Sequence, residues 1–207
     1  MTDDKKHNFL NVKVCKAAFS ASVKLKKMTR TQNQMAIALT EIFEKAVISS
    51  KKFSLDIYVT IIQSDGAEMC AAINACSLAL INANIQMFDF VVASSVGYSY
   101  HLESFSDGKS DDSLCFFHDV NHYETSSLQL PYIELAMIDH SEKVIYLDIF
   151  GRIHDSLLPK MIKRCLQTNH LIKNEMHRIV KEYYSDMCKK TAEFWFFYYI
   201  LINLSKL

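Results

Sequence analysis

The segment from Ile57 to Tyr98 constrains the fold more than any other part of the chain. Between Phe53 and Ile61, apolar residues alternate with more polar ones, and this period of two predicts a strand. The turn Ser64-Asp65-Gly66 follows, in which Asp65 is expected to cap a helix that starts near Ala67. That helix is rich in Ala and Ser, and an Asn-rich turn then leads to an apolar strand over residues 88–96. The segment therefore predicts a strand–helix–strand unit.

The flanking sequence supplies further elements of both kinds. Apolar residues recur at spacings of three and four over residues 33–48, which predicts an amphipathic helix. Strands are expected near residues 9–23 and 114–119, a hairpin joins Tyr132–Ile138 to Val144–Ile149, and a long helix begins near Pro159. Because strands come in runs and do not alternate strictly with helices, the order favours an α+β fold over a doubly wound sheet.

Composition bounds the function more weakly than the fold. The chain has 207 residues, of which 50% are hydrophobic, and this suits one globular domain with a sizeable core. Basic and acidic residues number 23 each, so RNA binding would have to come from a local patch. The six cysteines form no C-x-x-C pair and no zinc spacing, and the charged start does not resemble a secretory signal. Reduced thiols in an intracellular protein without cofactor are expected.

The last part of the chain is a separate question. Phe194–Ile202 is strongly apolar and aromatic but shorter than the roughly 20 residues that cross a bilayer. It is interpreted as a docked terminal helix or strand, as a surface for another subunit, or as a tail foreign to the rest of the fold. The predicted division is a domain over residues 1–185 and an apolar tail over residues 186–207.

Two stretches carry a family resemblance. SDGAEMCAAINACSLAL is similar to A-D-G-G-x-x-x-A-A-x-N-A-A-x-L-A-L, and NANIQMFDFVVASSVG is similar to D-A-G-I-P-M-R-D-x-V-x-A-x-S-x-G. These are patterns of the RNase PH family, and the likeness, which spans residues 10–184, is greatest to the type-41 subunits of the exosome ring. It implies an RNase PH-like fold (ribosomal protein S5 domain 2-like), with a mixed sheet packed against helices. Family members have a D-G-R motif and several strands before the position of residue 9. Without them, sheet edges and apolar surface are expected to be exposed.

The resemblance also says where phosphate would bind in a catalytic member. Such members attack the RNA 3′ end with inorganic phosphate, which arginine holds through paired hydrogen bonds. The position of one family arginine, after the D-G-G segment, falls at Glu68 and Met69 here, and a second falls at Thr40. Neither cation is present.

The catalytic acids of the family lie in a D-x-N-x-x-x-D pattern. Asp119 keeps the first acid, whereas Thr125 replaces the second. Glu124 is adjacent, but on an extended segment it would point the other way. Since losing one transition-state contact typically costs about 10²–10³ in rate, the resemblance implies a non-catalytic ring subunit in which Asp119 is a relic.

Other charged groups have two interpretations each. The basic turn Lys24, Lys26, Lys27 and Arg30 matches a family loop that faces incoming RNA, or it is simply solvated. The cations of the last helix, Lys160, Lys163, Arg164, Lys173 and Arg178, are interpreted as solvated or as contacts to a subunit or cap protein. His118, Asp119 and His122 are a weak metal signal, and surface residues without a metal are expected.

The resemblance implies partners and leaves alternatives open. A ring subunit would pair with a neighbour of the ribosomal-RNA-processing protein 45 type, with cap proteins, with catalytic exosome subunits and with RNA, but not with a membrane. It would support RNA and rRNA processing in the nucleus, nucleolus and cytoplasm. The alternatives are a phosphorolytic 3′-5′ exoribonuclease and an inert fragment that cannot assemble.

Overall fold

The strands and helices follow the predicted order, with one additional short helix, His122–Ser126, that was not predicted. The computed structural model describes residues 10–16, 29–48, 54–99, 114–126, 128–138 and 143–204. The strands are β1 (Leu10–Lys16), β2 (Leu55–Ile61), β3 (Val91–Ser99), β4 (Cys115–His118), β5 (Tyr132–Ile138) and β6 (Lys143–Phe150); the helices are α1 (Arg30–Ala46), α2 (Glu68–Asn82), α3 (His122–Ser126) and α4 (Leu158–Leu204). The chain divides into two compact units, residues 1–170 and residues 171–207.

The first unit holds two sheets. β1 and β2 pair in parallel, with Leu10 opposite Leu55, and α1 connects them. The second sheet is antiparallel in the order β4-β3-β5-β6, and it contains the predicted hairpin of β5 and β6. The α+β fold is therefore confirmed, and β6 and β4 form the edges of the larger sheet.

The core of the first unit lies on both faces of the larger sheet. On one face, α1 and α2 pack with β1 and with side chains such as Val91 and Ala93. On the other face, the first turns of α4 pack on Ile133, Leu135 and Met137. Because helices cover β3 on both sides, its residues are buried almost without interruption, including the polar Ser94 and Ser95.

Helix α2 supplies hydrogen bonds that a strand would otherwise make. β4 pairs with β3 only from Val96 onward. Before that point, the side-chain amide of Asn74 accepts from the N–H of Ala93 (2.8 Å) and donates to its carbonyl (2.9 Å). The hydroxyl of Ser77 accepts from the N–H of Val91 at 3.2 Å. Two side chains of α2 thus satisfy buried backbone groups of β3.

Asp65 does not cap α2, contrary to the prediction. The residue before the helix is Ala67, whose φ of 48° lies in the left-handed region and which makes no side-chain cap hydrogen bond. The carbonyl of Asp65 instead accepts a hydrogen bond from the N–H of His122 at 2.7 Å. The turn is shaped by this tertiary contact, which a local capping pattern does not include.

The second unit is helical over residues 171–204. Arg178 forms ion pairs with Glu175 and, at 2.7 Å, with Glu182, while Lys189 lies 3.5 Å from Asp186. The backbone of the aromatic tail continues this helix to Leu204. No helix in the described part of the chain has both the length and the apolar character of a membrane span.

Candidate functional site

The turn after β2 rests on the loop after β4. Gly66 has a φ of +105°, and a Cβ added to it would lie 2.4 Å from the carbonyl oxygen of Val120. With the hydrogen bond from His122 to Asp65, this contact joins the two loops. Only glycine allows both the backbone conformation and the close approach.

Asp119 occupies the loop on the other side of this contact. Its φ of 60° lies in the left-handed region. Its N–H donates to the carbonyl of Ser95 at 3.1 Å, and the N–H of Val120 donates to the Ser95 hydroxyl at 3.2 Å. The structure therefore brings the predicted relic acid, which is exposed, next to the turn at Gly66.

Further carboxylates surround this region. Glu134 lies in the middle of β5, directly opposite Asp148 of β6, and is 5% exposed. Burial raises the pKa of Glu134 to about 7, with smaller contributions from Asp148 and Glu68. Like charges opposite each other on a sheet destabilise it. Sequence reasoning did not select Glu134, although a single acid within the apolar strand YIELAMI was a signal that could have identified it.

Neighbouring carboxylates also affect the pKa values of two other side chains, Cys70 and Tyr146. Burial is the largest cause of the raised pKa of the Cys70 thiol, and the carboxylates of Glu134 and Asp119 add to it. Burial also raises the pKa of the Tyr146 hydroxyl, followed by the effects of Glu134 and Asp148. In both cases burial is the largest cause of the raised pKa, and the neighbouring carboxylates act in the same direction.

The residues at the two arginine positions are committed to other contacts. Met69 is buried in the core, and Glu68 accepts a hydrogen bond from the Ser64 hydroxyl. The hydroxyl of Thr40 donates to the carbonyl of Ala36 at 2.8 Å, within its own helix. None of the three side chains is a cation, and Glu68 contributes to the negative charge around Glu134.

The segment that contains Glu124 is not extended, contrary to the prediction. Residues His122–Ser126 form α3, and Glu124 and Asn121 bond each other's backbone N–H groups at 2.8 and 2.9 Å. This reciprocal pair, like a capping box, initiates the short helix. The Thr125 hydroxyl bonds the carbonyl of His122 at 3.0 Å. The Glu124 carboxylate therefore accepts a hydrogen bond from the N–H of Asn121, and its direction follows from this cap and not from strand alternation.

The two histidines have separate surroundings. His118 Nδ1 lies 2.9 Å from the Thr168 hydroxyl on α4, whereas His122 is held through its backbone N–H. Within the described segments, no group of three His, Cys, Asp or Glu side chains is arranged to hold a metal ion.

Of the predicted RNA-binding residues, the structure describes one. Arg30 is the first residue of α1 and is exposed; before it, Thr29 and Gln32 form a capping box. Lys24, Lys26 and Lys27 lie outside the described residues. The basic turn therefore stays a prediction.

Comparisons with known proteins give this site a family context. Residues 1–86 match the family model described as the 3′ exoribonuclease family, domain 1, of RNase PH. The exosome complex component RRP41 of Homo sapiens is 27% identical over 178 residues, which cover 84% of this chain and 67% of the relative. The exosome complex component ski6 of Schizosaccharomyces pombe is 28% identical over 179 residues, with the same two coverages.

These matches make the chain similar to members of the RNase PH family. The crystal structure of rice (Oryza sativa) Rrp46 superposes with a TM-score of 0.65 at 18% identity, covering 83% of this chain and 73% of that one. The RNase PH-like fold expected from the sequence is thereby confirmed. The predicted likeness to type-41 exosome subunits is confirmed by the RRP41 relatives.

Proposed function

We propose that this chain is a non-catalytic RNase PH-like ring subunit of the RNA exosome, which supports 3′-5′ RNA processing and degradation by threading RNA through the ring. Its relatives include RRP41 and ski6, both of which are named as exosome complex components. The ring role needs a packed RNase PH-like scaffold, and the two-faced core of the first unit supplies one.

The proposal that the chain is non-catalytic rests on the charge of the residues at the positions where catalytic family members bind phosphate. Glu68 and the buried Met69 stand where catalytic members have an arginine. Glu134, with its pKa near 7, and Asp148 add acidic groups nearby. Phosphorolysis needs a site that attracts a multiply charged anion, whereas these positions supply acidic groups and no cation.

A phosphorolysis assay tests this part directly. The full chain, alone and assembled with other ring subunits, is incubated with single-stranded RNA, inorganic phosphate and Mg²⁺, beside a phosphorolytic RNase PH relative as positive control. We expect no nucleoside diphosphate above background. Phosphate-dependent release of diphosphates that disappears in the Asp119→Asn variant would overturn the proposal in favour of an exoribonuclease.

Assembly is tested separately. Co-expression with a ribosomal-RNA-processing protein 45 type neighbour and the remaining ring subunits is expected to give a complex that elutes as one species. We also expect a fluorescently tagged chain to localise with the other subunits in the nucleus, nucleolus and cytoplasm. Failure to co-purify under conditions in which the other subunits assemble would favour an inert fragment.

A further inference from the structure

The first turns of α4 carry a polar stripe with a strong positive charge. Lys160, Lys163, Arg164 and Gln167 are spaced at i, i+3, i+4 and i+7, so they share one side of the helix. All four are exposed. Met161 and Cys165, on another side of the same turns, are buried against the larger sheet and fix the direction of the stripe.

This stripe faces an aromatic ring across a cleft. The four polar side chains and Phe116 of β4 line a cavity of about 270 Å³. The guanidinium carbon of Arg164 lies 5.6 Å from the centre of the Phe116 ring, a cation–π distance. The cleft is therefore bounded by three cations and one apolar, aromatic wall.

Among the residues that the structure describes, no ion pair involves the cations of the cleft. From Ser156 to Asn174 the sequence contains no Asp or Glu. Arg178 and Lys189 form ion pairs further along the helix. Because an unneutralised cluster of cations attracts an external anion, the cleft has the charge expected of a binding site.

One end of the cleft contacts the residue that precedes the Asp119 loop. Thr168, four residues after Arg164, lies 2.9 Å from Nδ1 of His118, which ends β4 directly before Asp119. The Thr168 hydroxyl also donates to the carbonyl of Arg164 at 3.0 Å. The position of Arg164 is therefore fixed both by the Phe116 ring and by the helix turn that contacts His118.

We propose that this cleft between β4 and α4 binds single-stranded RNA. Lys160, Lys163 and Arg164 contact successive phosphates, and a base or ribose packs on the wall formed by Phe116. Cations combined with an aromatic side chain are the usual elements of a site that binds single strands irrespective of sequence. An acidic protein segment would use the charges but has no general need for the ring. The choice of RNA as the anion rests on the proposed exosome function.

The test measures binding of the full chain to a fluorescein-labelled oligouridylate by fluorescence anisotropy at several salt concentrations. The variant K160Q/K163Q/R164Q removes the three cations. The matched control K181Q/K189Q/K190Q removes three exposed cations from a later part of the same helix. Three lost phosphate contacts are expected to lower the slope of log K against log salt by about 2 and to weaken binding about tenfold or more. The control is expected to retain the wild-type slope.

Phe116→Leu tests the aromatic wall, since it preserves most of the apolar bulk and all of the charge. We expect binding to weaken about fivefold or more with an unchanged salt slope, and circular dichroism checks that the variant is folded. If the charge variant and its control behave alike, or if the wild type does not bind the oligouridylate, the inference is wrong.

The binding and co-purification measurements distinguish a cleft that binds a protein from a failure of the proposed exosome function. If the charge variant loses binding to polyglutamate or assembly with ring subunits but binds the oligouridylate normally, the cleft is a protein-docking surface and the RNA inference is overturned. If the wild type binds RNA through this cleft but does not co-purify with ring subunits, the cleft is confirmed and the exosome proposal fails.

Discussion

At the scale of single residues, Glu134 and Gly66 define the charge and the backbone geometry of the candidate site. Glu134 places a carboxyl group in the buried centre of β5, opposite Asp148. Gly66 keeps the backbone of the β2–α2 turn against Val120. The sequence motif gave the position of the turn, whereas the contact with Val120 and the burial of Glu134 depend on pairing between distant segments. Neither could be read from local periodicity.

The buried carboxyl group predicts a particular pH dependence. Its folded-state pKa, about 7, exceeds the ordinary value of 4.5, so the folded state binds this proton more tightly than the unfolded state. Stability from this group is therefore present below pH 4.5 and falls as the pH rises through 7, by about 3 kcal/mol in total. Urea unfolding at pH 5 and pH 8 should show a smaller loss in Glu134→Gln than in the wild type. The exposed Glu41→Gln serves as control, and equal losses in both variants would contradict the prediction.

Gly66→Ala tests the contact between the two loops. The added Cβ meets the carbonyl oxygen of Val120 and the residue has a positive φ, so one of the loops must move. We expect a loss of about 2–4 kcal/mol in the free energy of unfolding. Ala75→Gly, at an exposed position of α2, provides the scale, because a glycine in a helix costs about 1 kcal/mol. A Gly66→Ala variant no less stable than this control would show that the loops are not tightly packed.

At the scale of secondary-structure elements, the contact between α2 and β3 is specified by hydrogen bonds from α2 side chains to the β3 backbone. The alternation in β2 and the small residues of α2 predicted both elements, and the structure confirms their order. The pattern did not predict that Asn74 replaces a neighbouring strand for Ala93, because this depends on where β4 begins to pair with β3. In the same way, α3 was missed because its start depends on a side-chain cap and not on an apolar repeat.

Asn74→Ala removes both hydrogen bonds between the Asn74 side chain and the backbone of Ala93. The N–H and carbonyl of Ala93 would then be buried without their partner, at a cost of about 2–4 kcal/mol. Chemical denaturation measures the change, with Asn82→Ala as control because Asn82 is exposed at the end of the same helix. A loss as small as that of the control would show that water replaces the amide without penalty.

At the scale of the whole molecule, the net charge is zero, but acidic and basic side chains are concentrated in different regions. Carboxylates gather around Glu134, whereas the stripe on α4 contains three cations and no acidic residue. The larger sheet is also covered unequally. On β6, the side chains of Val144, Leu147 and Ile149 are 44%, 41% and 43% exposed, and β6 is an edge of the sheet. Composition alone predicts neither asymmetry, since both follow from which element covers which face.

The exposed stripe of β6 predicts self-association of the isolated chain. Apolar side chains on an unpaired edge strand favour edge-to-edge contacts between copies. Leu147→Lys/Ile149→Lys is expected to shift the chain toward monomer in sedimentation velocity measurements as the concentration rises. Ile37→Lys, which changes a single exposed residue of α1, should leave the self-association as in the wild type. A wild type that is monomeric throughout the same concentration range would refute the prediction.

The interlocked loops at Gly66 and Val120 have an evolutionary consequence. Neither loop can drift independently, because the backbone of one occupies the space that any side chain on the other would need. Substitutions in these two stretches should therefore be epistatic: a change tolerated in one background will be deleterious in another. Two stretches that are distant in the sequence would then evolve as a single unit.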